Sequence, residues 1–269
     1  GLGDAVRAVR ELAGAGLSSS VDYLGEDTLD RGAASAAVSA HLALISRLAG
    51  QGLASRTEIS LKLSALGLRL DPALVEENAW TVCRAAAGSG IAVTLDMEDH
   101  STTDTTLAIG GRLRAEIPSL GLVIQASLRR SEDDCRALAH PDSRVRLCKG
   151  AYQEAPALAW QRRGEVRAAY LRCLRILVEG GAMPLLATHD PALIDACHRL
   201  MARAGAGVGH EHQMLYGIRP DEQTQLATRG EQVRVYVPFG ERWYPYLMRR
   251  IAERPANLIL VLRALGSRR

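Results

Sequence analysis

Only two of the 33 basic residues in this 269-residue chain are lysine: Lys62 and Lys149. Where nearly every cation is written as arginine, an isolated lysine marks a place where a compact ammonium serves better than a guanidinium. Its pKa shifts readily on burial, and it can form a Schiff base. Both lysines end apolar runs, EISLK and RVRLCK. Near the C-terminus, Arg249 and Arg250 are adjacent. Tyr246 precedes them by three and four residues, and Glu253 follows by four and three. On a helix, all four share one flank. Paired guanidiniums suit a carboxylate or phosphate. Taken alone, they also read as a solvated face with a weak ion pair.

Other candidates sit at the ends of apolar segments. Asp96, Glu98 and Asp99 close the run at 91–97, Gln125 the run at 120–126, and Arg146 lies inside 144–148. Thr188, His189 and Asp190 follow 183–187, Glu211 and Gln213 end 208–213, and Tyr236 nears the end of 233–237. A guanidinium in an apolar strand must be paired or must face a ligand. Blander readings exist for the others: Asp96 as a loop cap, His189-Asp190-Pro191 as a helix start, Gln125 as a satisfied core amide. Together they form a mouth rich in cations, suited to an anionic ligand or cofactor. Glu98, Asp99, His189, His210, Glu211 and His212 are metal-ligand types. They stand on separate segments beside Arg146 and Lys149, which would repel a dication, so no metal is expected. Neither a G-x-S-x-G elbow nor a phosphate-binding P-loop appears.

The elements that must position these residues alternate. Strands are predicted over 18–24, 58–64, 91–97, 120–126, 144–148, 183–188, 208–213 and 233–237, the last broken by Pro238 to Gly240. Helices follow over 28–50, 72–87, 103–116, 131 onward, 165–179, 191 onward, 221–228 and 243–254, with an apolar helix after that over 257–265. Asp71 before Pro72, Ser131-Glu132-Asp133, and Asp190 before Pro191 read as helix starts. Eight strand–helix units in one domain of about 250 residues make an α/β fold, a single (β/α)8 TIM-type barrel over 1–269, with polar strand ends gathered at its C-terminal face. A doubly wound sheet is the alternative, but DYLGED stands where its G-x-G-x-x-G would be.

Composition narrows the class. Hydrophobic residues make up 47% and net charge is +3. No basic tail or aromatic-interleaved basic run is present, so no nucleic-acid partner is expected. No apolar run reaches the ~18 residues of a membrane span. Five cysteines without a C-x-x-C argue for a reducing, cytoplasmic setting and against a disulfide framework. The chain opens on Gly1 without a signal-peptide core, the expectation for a processed or trimmed form.

Seven motifs then resemble the proline dehydrogenase family, in order: KLSALG (62–67), LDMEDHSTTDTTL (95–107), LVIQASLRR (122–130), RVRLCKGAYQEA (144–155), LLATHD (185–190), EHQMLYGIR (211–219) and RVYVPFGERWYPYLMRRIAERPAN (234–257). SVDYLGE (20–26) resembles the family's first strand. The resemblance implies a (β/α)8 barrel of the bacterial single-function type. It implies FAD as cofactor and L-proline as substrate, oxidised to Δ1-pyrroline-5-carboxylate on the way to glutamate. It also implies a membrane quinone as electron acceptor, met at the inner face of the cell membrane. Residue by residue, Lys62, Arg249 and Arg250 would clamp the proline carboxylate, with Glu253 orienting the arginines. Tyr152 and Tyr236 would wall the ring. Asp96 would be the acidic residue of the active site, and Arg146 would lie against the flavin. Met97, Gln125, Lys149, Gly150, Ala151, Thr188 and His189 would line FAD. Two departures stand out. The family's aromatics beside the Glu of EHQMLYG are replaced by His210 and His212. Of the helices that precede its first strand, only one over 4–13 is present.

Two other classes remain open at this stage. A Schiff-base lyase would use Lys149 as nucleophile, and a non-catalytic barrel would only bind an anion.

Overall fold

The computed structural model describes residues 1–25, 27–204 and 209–240. The helix expected over 243–254, with Tyr246, Arg249, Arg250 and Glu253, and the one over 257–265 lie outside the described residues. Helix α1 (Leu2–Gly14) precedes strand β1 (Ser18–Tyr23). There follow α2 (Arg31–Ala49), β2 (Thr57–Leu61), α3 (Pro72–Gly88), β3 (Ala92–Leu95), α4 (Thr103–Arg114), β4 (Gly121–Gln125), α5 (Ser131–Leu138) and β5 (Arg144–Cys148). The chain continues through α6 (Arg163–Glu179), β6 (Met183–Ala187), α7 (Pro191–Ala204), β7 (Glu211–Leu215), α8 (Pro220–Thr228) and β8 (Val233–Phe239). All eight strands run parallel in chain order and close into a barrel, with β8 beside β1. The expected (β/α)8 architecture is the one observed.

Period-2 alternation builds this barrel. One parity of each strand is apolar and packs under the helices: Val21, Ile59, Leu61, Val93 and Leu95 in one cluster, Val145, Leu147 and Leu186 in a second. Val233, Val235 and Val237 form a third with Met214. Each such side chain, fully buried, stabilises the fold by ~1.5–3 kcal/mol. On β1, β2, β5, β7 and β8 the opposite parity carries the polar residues and faces the lumen rather than solvent, whereas on β6 it is apolar, Met183, Leu185 and Ala187. Asp71 caps α3 as expected, accepting from the N–H groups of Ala73 and Leu74, worth about 1 kcal/mol.

Four expectations are corrected. β8 runs through Pro238 to Phe239, with Pro238 opposite Asp22. Proline is tolerated because its nitrogen faces the β7 side, where the ladder has already ended at Leu215 opposite Tyr236. β7 spans Glu211–Leu215 and begins later than the polar VGHEHQ stretch suggests, so Glu211 and Gln213 are its first and middle residues. α5 is preceded by Arg130 as N-cap. The Ser131 hydroxyl turns back to the Gln125 carbonyl at 2.5 Å, and Glu132, Asp133 and Asp134 in the first turn offset the helix dipole. Finally, α2 has 19 residues at hydropathy 1.2, long and apolar enough by length and composition to cross a membrane. Interspersed Ala, Gly and Ser conceal it from a search for unbroken apolar runs. In the barrel its Ala34, Ala37, His41, Leu44, Ile45 and Leu48 are buried.

Candidate active site

The lumen is filled with charge. Typical barrels of this kind pack branched aliphatics there. Here Arg146 on β5 crosses the interior, 5% exposed. Its Nε donates to Gln213 Oε1 at 2.5 Å. Nη1 donates to Asp96 Oδ1 at 2.5 Å and Ser60 Oγ at 2.8 Å. Nη2 donates to Glu58 Oε1 at 2.5 Å and Ser20 Oγ at 3.1 Å. These contacts match the five N–H groups of a guanidinium and tie β1, β2, β7 and the end of β3 to one side chain of β5.

Below it lies an ionic floor. Arg144 donates to the other Glu58 oxygen at 2.8 Å. Arg234 grips Glu211 through both oxygens at 2.8 and 2.9 Å and donates to the Ser19 carbonyl at 2.9 Å. Burial alone would raise the Glu58 carboxyl. The charges of Arg146, Arg234 and Arg144 overcome that and hold it at about 2. Arg234, an apparent surface position in the strand alternation, is 9% exposed and belongs to this floor.

Above Arg146, toward the C-terminal mouth, Asp96 passes the network upward. Its Oδ2 accepts from the Tyr236 hydroxyl at 2.7 Å. Lys62 Nζ donates to Asp22 Oδ2 at 2.5 Å and to the Tyr236 oxygen at 3.2 Å, and stands 3.7 Å from Asp96. Burial first, then the nearby Asp22 and Asp96 charges, push the Tyr236 phenol well above its usual range, so it keeps its proton. Four carboxylates (Asp22, Glu58, Asp96, Glu211) therefore meet four cations (Lys62, Arg144, Arg146, Arg234) inside the barrel.

The loops after β2, β3 and β4 are pinned to one another. Glu98 accepts from the Ser64 N–H at 3.0 Å and from the Ser64 hydroxyl. Gln125 Nε2 donates to the Glu98 carbonyl at 2.7 Å. Met97, next to Glu98 in sequence, is buried. Asp99 caps the turn that leads into α4, accepting from the Ser101 N–H at 2.9 Å. Thr188 is buried at the end of β6, and its hydroxyl accepts from the Asp190 N–H at 3.2 Å. His189 fastens β6 to β7: its Nε2 accepts from the Leu215 N–H at 2.7 Å, and its carbonyl accepts from Arg219 at 3.0 Å.

Beside the mouth, a cleft of ≈ 540 Å³ opens between the ends of β4 and β5, lined by Ser127, Lys149, Gly150, Tyr152, Glu154 and Trp160 among others. Ala151, also expected near a cofactor, is exposed at its edge. The β4–β5 ladder continues into the cleft through Ser127 N–H to the Lys149 carbonyl, 2.8 Å. Gly150 takes φ 103°, and a Cβ there would meet Ser127 Oγ at 2.2 Å, so only glycine fits. Lys149 Nζ donates to Asp190 at 2.7 Å, and Arg167 reaches the same oxygen at 2.7 Å. Burial opposes ionisation of Asp190, but these two cations pull its pKa well below the usual carboxylate range.

The structure thus joins Lys62, Asp96, Arg146 and Tyr236 in one network and puts Lys149, Gly150 and Tyr152 in one cleft. Thr188 and His189 stand apart at β6. Asp22, Glu58, Arg144 and Arg234 were not among the candidates read from the sequence. Their signal was polar alternation at 20/22, 58/60/62, 144/146 and 234/236 within strands whose other parity is apolar.

Comparison with known proteins agrees with this geometry. A family model described as "Proline dehydrogenase" matches residues 5–261. "Proline dehydrogenase 1" of Bacillus subtilis (strain 168) is 37% identical over 262 residues, 97% of this chain and 86% of the relative. "Proline dehydrogenase 2" of the same strain is 36% identical over 261 residues, with the same coverage. "Proline dehydrogenase" of Deinococcus radiodurans is 35% identical over 269 residues, covering 97% and 86%. Among solved structures, proline utilization A (PutA) from Bdellovibrio bacteriovorus, inactivated by N-propargylglycine, superposes with TM-score 0.85 at 26% identity, over 93% of this chain and 31% of that longer one. By its sequence over nearly its whole length, the chain belongs to the proline dehydrogenase family.

Proposed function

We propose that this protein oxidises L-proline to Δ1-pyrroline-5-carboxylate, with FAD as its cofactor and a membrane quinone as the eventual electron acceptor. Family membership supports an oxidoreductase acting on proline. The observation that carries the assignment to this site is the Lys62–Tyr236–Asp96 contact at the mouth of a charge-filled barrel. A proline zwitterion carries both charge signs, and this mouth presents both within a few ångströms. Lys62 offers an ammonium to the carboxylate; the family resemblance of the MRR motif would add Arg249 and Arg250, which lie outside the described residues with Glu253. Tyr236 and Tyr152 bound the ring and exclude larger side chains.

The residues beside the mouth fit a flavin on their own chemistry. Gly150 lets the turn after β5 close onto Ser127 and Gln125, where a Cβ could not stand, and so shapes the wall of the cleft. Lys149 and Arg167 bring two cations to one carboxylate, leaving positive charge for a phosphate. Gln125, Met97, Ala151, Thr188 and His189 would complete the lining. Bound there, FAD would supply the two-electron acceptor for the hydride lost from proline. The protein's own part is positioning. Arg146 anchors one oxygen of Asp96 and the Tyr236 hydroxyl meets the other, so Asp96 fixes the Tyr236 phenol, whose proton stays on oxygen. The substrate is thereby oriented before reaction. Acceptance of electrons by a quinone would bring the protein to the inner face of the cell membrane. A Schiff-base role for Lys149 is disfavoured, because the amine is engaged with the Asp190 carboxylate.

The test is the visible spectrum of the purified protein before and after proline under anaerobic conditions. A flavin spectrum that bleaches with proline is expected. A colourless protein that also fails to turn over proline when FAD is added, or a flavin spectrum that proline leaves unchanged, would overturn the proposal.

A further inference from the structure

The two histidines that replace aromatics beside the first glutamate of β7 do not reach the catalytic mouth. Glu211 and Gln213 face the lumen, so His210 and His212, of opposite parity, face outward under α7. His198 of α7 comes down on them. Its Nε2 lies 3.0 Å from His212 Nε2, and its ring meets His212 and His210 edge-on at 4.9 and 6.4 Å between centroids. Glu231, in the turn before β8, places a carboxylate oxygen 3.1 Å from His210 Nε2. One ligand-type atom from each of the four residues falls within 4.8 Å of all the others.

We propose that His198, His210, His212 and Glu231 form a closed four-ligand site for a zinc-class dication at the N-terminal end of the barrel. Three imidazoles and one carboxylate are a donor set for tetrahedral Zn²⁺. Metal–nitrogen distances of ~2.0–2.1 Å put tetrahedral ligands about 3.3 Å apart. The observed 3.0 and 3.1 Å pairs already stand near that spacing. As a packing cluster the arrangement is poor. His210 Nε2 is buried yet makes no hydrogen bond of proper geometry. The two facing Nε2 atoms of His198 and His212 can share only one proton between them. A central cation would use all these lone pairs at once. His210, immediately before β7, and His212, its second residue, are two apart in extended chain, the spacing that sends both side chains to one side. Four protein ligands leave no open position, so the site is structural. It would clip α7, β7 and the α8–β8 turn together at the end of the barrel associated with stability rather than chemistry. The proposal does not depend on the assigned reaction.

The experiment uses the full chain without an affinity tag, with its cofactor bound, stripped by chelator and then dialysed against ZnCl₂. Metal analysis should find close to one zinc per chain, and thermal unfolding should shift upward with zinc and back with chelator. His210→Gln and Glu231→Gln should each weaken zinc binding by about tenfold or more and remove most of the thermal shift, while proline turnover by the zinc-loaded protein stays near wild type. His212→Gln is avoided as the principal variant because that ring is 1% exposed and its loss could unfold the protein. Cobalt in place of zinc should give the intense visible bands of a tetrahedral centre. Failure of the wild type to retain zinc, or equal retention by both variants, would overturn the site.

Discussion

The Tyr236 hydroxyl donates to Asp96 Oδ2 at 2.7 Å, joining the eighth strand to the end of the third across the barrel mouth. The other Asp96 oxygen accepts from Arg146 at 2.5 Å. One carboxylate thus couples the residue expected to touch substrate to the one that fills the lumen.

Tyr236→Phe removes the donor that meets Asp96 and the oxygen that meets Lys62. A hydrogen bond to a charged partner is worth ~1.5–3 kcal/mol, so proline kcat/KM should fall about 10- to 100-fold. Flavin content should be unchanged. Steady-state kinetics with an artificial acceptor, together with the flavin-to-protein absorbance ratio, checks both halves. Unaltered kinetics would remove Tyr236 from the site.

Arg146→Met strands Glu58 and Asp96 in the lumen without their shared cation. Breaking a buried pair from one side costs about 3–5 kcal/mol, and urea unfolding should show a loss of that order. Adding Glu58→Gln should recover part of it, because the carboxylate that suffered most is then neutral. A double variant no better than the single would mean that Arg144 and Arg234 already satisfy Glu58.

Gly150→Ala would force a Cβ onto Ser127 Oγ at a backbone φ of 103°. The variant should fold, with a far-ultraviolet spectrum like the parent's, but should lose flavin on gel filtration. Retention of a full flavin complement would separate this turn from cofactor binding.

Stability should fall with acid in two stages. Burial lowers the His41 pKa below 6.5, so His41 remains neutral in the fold while it would be protonated in the unfolded chain. Its stabilisation is present above about pH 6.5 and declines as pH falls below that. Glu58 is depressed from 4.5 to about 2. Its contribution is present above pH 4.5 and is lost between there and about pH 2. Chemical unfolding at a series of pH values should show the second stage diminished in Glu58→Gln.

Much of this arrangement is readable in the sequence. β5 was legible to the residue because Val145 and Leu147 alternate with arginines too regularly for a loop. The N-cap at Asp71 was legible because proline follows it. What could not be read was the meaning of the polar parity. Valines at 233, 235 and 237 look like the inner face of a half-exposed strand, which casts Arg234 as a surface residue. Barrel closure reverses this, since both faces are covered, one by helices and one by the opposite strands. β7 was misplaced for a related reason. Its helix-facing side carries His212 where an aliphatic would have marked it, so hydrophobic periodicity had little to act on. The segment that would hold Arg249 and Arg250 lies outside the described residues.

Arg144 and Arg146 are two apart on a five-residue strand whose intervening side chains belong to the helix layer. Slipping β5 by a single residue would exchange both guanidiniums for Val145 and Leu147, emptying the ionic plug and driving charge under α6. Insertions or deletions within that strand should therefore be lethal to folding, whereas the turn before it, around Pro141, should accept changes of length. The charged axle that organises the interior also forbids any shift in the staves around it.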